Sequence, residues 1–352
     1  MGLLVLGDLY YGFDYISEDI LGLSKFIKEH NYSVVLNLEG AVIQRELIHA
    51  KKRGELLAQS TRIAEVLRLL NVKGVSLCNN HMFDFGHYGL LDTVEMLEKN
   101  HIQFCGAGMN ESDASRPMRI DSDGVTYEFY AATDPFEESV CACSNRPGCF
   151  KIKDLLKTPL GTESGVIRIA FLHTGFEYNT LPMPRTISEC RQLIDNKFDA
   201  VVCSHPHIVQ PFEVYRDKPI YYSLGNFYFS TFRDFFEEIE IRNKPHGICN
   251  FGYGVVFHGK DYSAVGVCYD PQSQKNYITE ETEIEHLVDT GDARKYISEC
   301  KSNRNNHNPV LSGNAVMDCI RMSGLNFSYF VYGILQKLGV AQAVKNFIFK
   351  KE

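Results

Sequence analysis

The sequence predicts an α/β fold of two packed mixed β-sheets flanked by helices. Two observations predict it. The first third alternates short apolar runs with helical spacings, the pattern of a mainly parallel sheet covered by helices. From residue 125 onward, strand-like runs continue with few helices between them, which suits a second sheet packed on the first.

Residues 3–6 form an apolar run that ends at Gly7-Asp8 and reads as a buried strand. Residues 17–29 carry Ile20, Leu23, Phe26 and Ile27 at helical spacing. Residues 33–38 are again strand-like and end in Asn37-Leu38-Glu39-Gly40. Residues 62–70 are helical, with Ile63, Val66, Leu67 and Leu70 on one face. A strand at 74–77 runs into Cys78-Asn79-Asn80-His81, and a helix at 90–98 and a strand at 101–105 follow. The later strand candidates are 125–131, 166–172, 200–203, 220–223 and 253–257, with one clear helix at 186–195. The polar run 301–308 reads as a linker or surface loop, so residues 1–300 are expected to form the main domain and 301–352 a helical extension.

The chain has 352 residues, 44% hydrophobic and 23% charged, the composition of an ordinary globular protein. Its formal charge of −8 argues against a protein that coats nucleic acid. No run approaches 18 apolar residues and no secretory leader is visible, so the expected location is the cytoplasm. The eleven cysteines are expected to be free thiols; the CACSNRPGC cluster lacks the CxxC spacing of a zinc site.

Five segments at strand ends bear candidate chemistry: Gly7-Asp8, Asn37–Gly40, Asn79–Gly86, His173–Tyr178 and Ser204–His207. In open α/β sheets, ligands bind beyond the carboxyl ends of strands. In an extended chain, His205 and His207 point to one side, and Pro206 restrains both itself and His205. The pair then forms a fork suited to two adjacent metals; the alternative is a loop with two surface histidines. Asn80 can offer its amide oxygen to a metal while His81 faces the substrate, although Asn-Asn is also a common turn dipeptide. Asp84, three residues after His81, can orient the imidazole. Asp8 and Glu39 are acids after apolar runs, and each alone could be a helix cap or a solvated turn.

The order GD, NLEG, NNHxxDxG, HxGxEY, HPHxxQ and YSLGNFxF resembles the CapA-like capsule-synthesis family, over residues 3–229 and more weakly to 257. That resemblance implies the fold of the calcineurin-like metallophosphoesterases, an α/β/β/α sandwich. It implies a dinuclear metal-dependent hydrolase with two divalent ions, manganese, iron or zinc. Asp8 and His207 would hold the first ion, Asn80, His173 and His205 the second, and Glu39 both. His81 would be the proton donor, with Asp84 behind it. Asn79, Glu177 and Asn226 match positions expected near the substrate. Two features depart from the pattern: Tyr10 stands where the wider superfamily has a histidine, and Thr174 where a tryptophan is common. Two divalent ions carry four positive charges and the two carboxylates remove two, which suits an anionic substrate.

Residues 324–350 carry Leu325, Phe327, Phe330, Val331, Ile334, Leu335 and Leu338, flanked by lysines. They form an amphipathic helix that either touches a membrane surface or the capsule machinery, or docks on this protein's own core, the expected case. The leading function is hydrolysis of a phosphoester or related anionic linkage, on a small or polymer-derived substrate, in capsule, poly-γ-glutamate or surface-polysaccharide biosynthesis. The alternative is a non-catalytic accessory subunit of a polymer synthesis or export system.

Overall fold

Burial on both faces or on one face decides each strand's place in the layers. The structure, a computed structural model, describes residues 2–44, 56–135, 139–230, 251–270, 273 and 275–279, and the backbone of 232–233 and 240–241. All of these belong to one compact unit whose bounds are Met1–Gly291, and none falls in the second unit. The expected linker at 301–308 and helical extension at 301–352 lie outside the described residues.

Strand β1 (Gly2–Tyr10) is buried along its whole length, as its apolar run demands. Helix α1 (Glu18–Glu29) turns Ile20, Leu23 and Ile27 inward. Strand β2 (Tyr32–Leu38), helix α2 (Ile63–Leu69), strand β3 (Val72–Ser76), helix α3 (Gly86–Lys99) and strand β4 (Gln103–Cys105) continue the alternation. Then come β5 (Met118–Ser122), β6 (Val125–Thr133), the short α4 (Ile152–Leu155), β7 (Val166–His173), α5 (Pro184–Asp195) and β8 (Ala200–Ser204). The rest is strand: β9 (Val209–Tyr215), β10 (Lys218–Leu224), β11 (Asn226–Phe229), β12 (Phe251–His258), β13 (Asp261–Asp270) and β14 (Lys275–Ile278).

The first sheet has the order β14-β13-β12-β1-β2-β3-β4, with β11 beside the end of β1. Its β1–β4 half is parallel, and β12 to β14 join antiparallel. The second sheet has the order β9-β10-β8-β7-β6-β5, parallel through the centre and antiparallel at both edges. Both sheets are therefore mixed, as expected.

Period-two alternation builds the layers. On the second sheet, Phe129, Ala131, Ile167, Ile169, Phe171 and Val202 join one large core with the first sheet and helices α1 to α3. The intervening Tyr130, Ala132, Ala170, Leu172, Val201 and Cys203 face the other way, onto Ile187, Cys190, Leu193 and Ile194 of α5. Each large side chain so buried contributes about 1.5–3 kcal/mol. The result is helix, sheet, sheet, helix.

One irregularity matters for function. Strand β1 pairs with β12 through Leu3–Leu6 and then with β11 at Asp8, Leu9 and Tyr10, and its register shifts on either side of Asp8. Gly7 sits at the change of partner, where a Cβ would overlap the carbonyl oxygen of Gly225. Only glycine lets the two strands approach this closely.

No helix among the described residues is long and apolar enough to cross a membrane. The eight cysteines among them are free thiols.

Candidate metal centre

Parallel strands from both sheets end on one rim. Asp8 lies near the end of β1, Glu39 directly after β2, and Asn80 and His81 beyond β3. His173 closes β7, His205 follows β8, and Asn226 opens β11 after β10. The five predicted segments thus converge at the carboxyl ends of the strands, as the rule for open sheets requires.

Asp8, Glu39 and His207 form one cluster, all buried, with a donor atom from each within 4.8 Å of the others. His207 Nδ1 lies 3.7 Å from Asp8 Oδ2, and its Nε2 lies 3.8 Å from Glu39 Oε1. Asn226 Oδ1 is 2.9 Å from His207 Nδ1. Asp8 is held on both oxygens: Asn37 Nδ2 donates to Oδ1 at 2.8 Å, and the His205 backbone N–H donates to Oδ2 at 3.1 Å.

The second cluster is Asn80, His173 and His205. His173 Nε2 is 2.9 Å from Asn80 Oδ1 and 3.1 Å from His205 Nδ1. His173 Nδ1 is backed by Ser204 Oγ at 3.2 Å. The rings of His205 and His207, 6.2 Å apart between centroids, join the two clusters.

His81 and Asp84 stand at the edge of this arrangement. Asp84 Oδ2 lies 2.7 Å from His81 Nδ1 and also accepts the Leu57 backbone N–H at 2.9 Å. A neutral His81 therefore carries its proton on Nδ1, and its Nε2 is the acceptor nitrogen.

The geometry corrects several expectations. The His-Pro-His loop is not extended. His205 has φ +106° and His207 φ +58°, so the two imidazoles converge through a left-handed turn rather than by strand alternation. Backbone held there costs about 1–3 kcal/mol per residue and clusters at functional sites. Asn79 to His81 likewise enter a turn, closed by the Asp84 N–H on His81 O, rather than an extended connection. Asn79, expected beside the substrate, is fully buried and spends its amide on Leu38 O, Asn37, and the N–H groups of Gly40 and His81. Asn226, expected in the same role, turns its amide oxygen to His207. Glu177 is exposed on the loop after β7. Tyr10 is buried against Phe229 and Leu57 in a small apolar cluster.

The sequence alone did not single out Gln59. Its side chain accepts the Tyr11 N–H and donates to Leu9 O and Glu39 O, bolting together the strand ends that carry Asp8 and Glu39. No motif surrounds it. Tyr178, the last residue of the HxGxEY segment, has φ +58°, is pinned by its N–H to Pro206 O, and lies with its ring 6.0 Å from that of His207.

The donor set suits divalent metal ions. It offers two carboxylates, three imidazoles and an amide oxygen, hard and borderline donors without sulfur, which match manganese, iron or zinc. Ligands around one such ion, with bonds of about 2.1 Å, stand about 3–4 Å apart; His173 Nε2 lies 2.9 and 3.1 Å from its two neighbours, and the Asp8, Glu39 and His207 donors lie within 4.8 Å of one another. Two imidazole nitrogens facing each other at 3.1 Å beside an amide oxygen are better satisfied by a shared cation than by one shared proton.

The family described as bacterial capsule synthesis protein PGA_cap matches residues 5–231. The capsule biosynthesis protein CapA of Bacillus anthracis is 29% identical over 230 residues, covering 62% of this chain and 54% of its own. The PGA biosynthesis protein CapA of Bacillus subtilis is 32% identical over 169 residues, covering 47% and 44%. A protein of Mycobacterium tuberculosis named as a probable polyglutamine synthesis accessory protein is 30% identical over 165 residues, 43% of each chain. The matches span about half the length of these relatives.

Proposed function

The chain belongs to the bacterial capsule synthesis protein family PGA_cap, and from that premise we propose that it is a dinuclear metal-dependent hydrolase acting on a phosphoester or related anionic linkage in capsule or poly-γ-glutamate biosynthesis. The observation that supports this best is the pair of abutting donor clusters with a carboxylate-backed histidine at their edge.

Asp8, Glu39 and His207 would hold one ion. Asn80, His173 and His205 would hold the other, with Glu39 shared between them. Bound there, the two ions would supply Lewis acidity and the positive charge that gathers an anionic group. Asn226 takes up His207 Nδ1 and leaves Nε2, on the Glu39 side, as the ligating nitrogen. Ser204 does the same for His173, leaving Nε2 toward Asn80 and His205. His81, once protonated, donates from Nε2 to the departing oxygen while Asp84 holds the charged ring. The substrate is then a small or polymer-derived anion rather than nucleic acid, in keeping with the net charge of −8.

Tyr10 favours a second reading, a non-catalytic accessory subunit. It stands where a further histidine ligand was expected and is packed into an apolar cluster. Metal analysis combined with a panel of phosphoesters and γ-glutamyl amides separates the two. Turnover that requires manganese, iron or zinc and disappears in His173→Ala supports the hydrolase. Metal-loaded protein that turns over nothing on the panel leaves the accessory role.

A further inference from the structure

Beneath the two clusters runs a buried chain of amide side chains whose polarity is fixed from one end. Asn37 and Asn79 are both fully buried. The backbone N–H groups of His81 and Gly40 donate to Asn79 Oδ1 at 3.2 and 3.4 Å. A backbone N–H can only donate, so the oxygen of Asn79 must face these groups and its nitrogen the other way. That nitrogen donates to Leu38 O at 2.8 Å and to Asn37 Oδ1 at 3.2 Å. Asn37 is thereby oriented in turn, and its nitrogen donates to Asp8 Oδ1 at 2.8 Å.

We propose that Asn79 and Asn37 are positioning residues that set the Asp8 carboxylate from the turn carrying Asn80 and His81. The inference rests on the metal reading above. The chain occupies Asp8 Oδ1 and so turns Oδ2 toward His205 and His207, where a cation would bind. One end of the relay is the backbone of His81, beside the ligand Asn80; the other is a ligand of the opposite cluster. The turn after β3 therefore carries Asn80 for one half-site and controls the geometry of the other. Neither asparagine is among the proposed ligands; the contacts of both are to protein groups.

Asn79→Asp tests this at a distance. A carboxylate there still accepts from His81 and Gly40 but cannot donate to Asn37. The Asn37 amide then gains by flipping to donate toward residue 79, which turns its oxygen against Asp8. The experiment is a calorimetric titration of the full-length apoprotein with Mn²⁺, with His207→Ala and His173→Ala assigning the two binding events. Asn79→Asp is expected to weaken the event lost in His207→Ala by about 10–100-fold, the usual effect of losing a group that orients a ligand, and to leave the other event within about threefold. Asn37→Ser, which removes the donor to Asp8 directly, should reproduce this selectivity and keeps the test open if the first variant fails to fold. Equal weakening of both events, or unchanged affinities with only a lower apoprotein melting temperature, would overturn the relay and leave the metal reading standing. Wild-type protein that binds no Mn²⁺ would remove both.

Discussion

Asn226 and Asp8 are register partners on adjacent strands, and Asn226 reaches from that position to hold His207 Nδ1 at 2.9 Å. A residue that pairs with one candidate carboxylate ligand thus orients the imidazole beside it. Replacing Asn226 with alanine releases the ring of His207. The expected result is about 10–100-fold weaker divalent binding at the Asp8–Glu39–His207 cluster. Asn226→Asp keeps an acceptor for Nδ1 and should lose less. Equilibrium dialysis with Mn²⁺ checks both, and equal affinities in all three proteins would show that His207 needs no such support.

Gly7 is the second sensitive point. A Cβ there overlaps Gly225 O, and the Asp8 N–H donates to that same carbonyl at 3.3 Å. Gly7→Ala must push β1 away from the turn between β10 and β11. Overpacking of this kind costs about 1–3 kcal/mol. The variant should melt several degrees lower than wild type and also bind divalent ions more weakly, because Asp8 moves with the strand. Unchanged melting in calorimetry would mean that the backbone absorbs the methyl group.

The parallel strands of the first sheet and the centre of the second were legible because they are buried on both faces and read as short apolar runs. The edge strands β5, β9 and β14 were not, although the edge strand β4 was. Strand β5 is only five residues long with two of them exposed, β9 and β14 are mostly half-buried or exposed, and Pro211 within β9 argues against a strand unless it lies at an edge. The five site segments were visible because strand ends concentrate function in such sheets. How the loops bend was not visible. The residue before a proline is normally extended, and His205 adopts φ +106° only because the surrounding contacts impose it. Asn79 and Asn80 are indistinguishable in sequence; hydrogen bonding makes one a buried brace and turns the other to His173.

The cysteines give a prediction independent of metal. Burial pushes the Cys105 thiol up to about 12 and that of the half-buried Cys141 up to about 11. At pH 8 only about a thousandth of Cys141 would be thiolate, the reactive form, against roughly a quarter for an ordinary cysteine. Raising the pH through 11 should therefore speed its alkylation steeply, provided the fold survives. Peptide mapping after iodoacetamide treatment at pH 8 should leave Cys105 and Cys141 unlabelled in native protein and labelled in denaturant. Thiol counting in denaturant without reductant should approach the eleven of the sequence.

The last prediction concerns His81. Its Nδ1 is committed to Asp84 at 2.7 Å, and Asp84 is itself anchored by the Leu57 N–H. If the chain is the hydrolase proposed above, a residue held in this way, next to Asn80, would serve proton transfer rather than hold an ion. His81→Ala and His81→Gln should keep the wild-type content of divalent metal by elemental analysis. Turnover on any phosphoester that the wild type accepts should fall by about 10²–10⁴-fold, the contribution of a positioned acid. Asp84→Asn leaves the imidazole in place but removes the charge that steadies its protonated form, so its loss should be smaller and of the same kind. A substrate whose departing oxygen needs no proton, such as a nitrophenyl ester, should suffer least from all three changes. If His81→Gln instead loses metal, His81 belongs with the ligands. If turnover is unchanged on substrates with poor leaving groups as well, proton donation comes from elsewhere in the site.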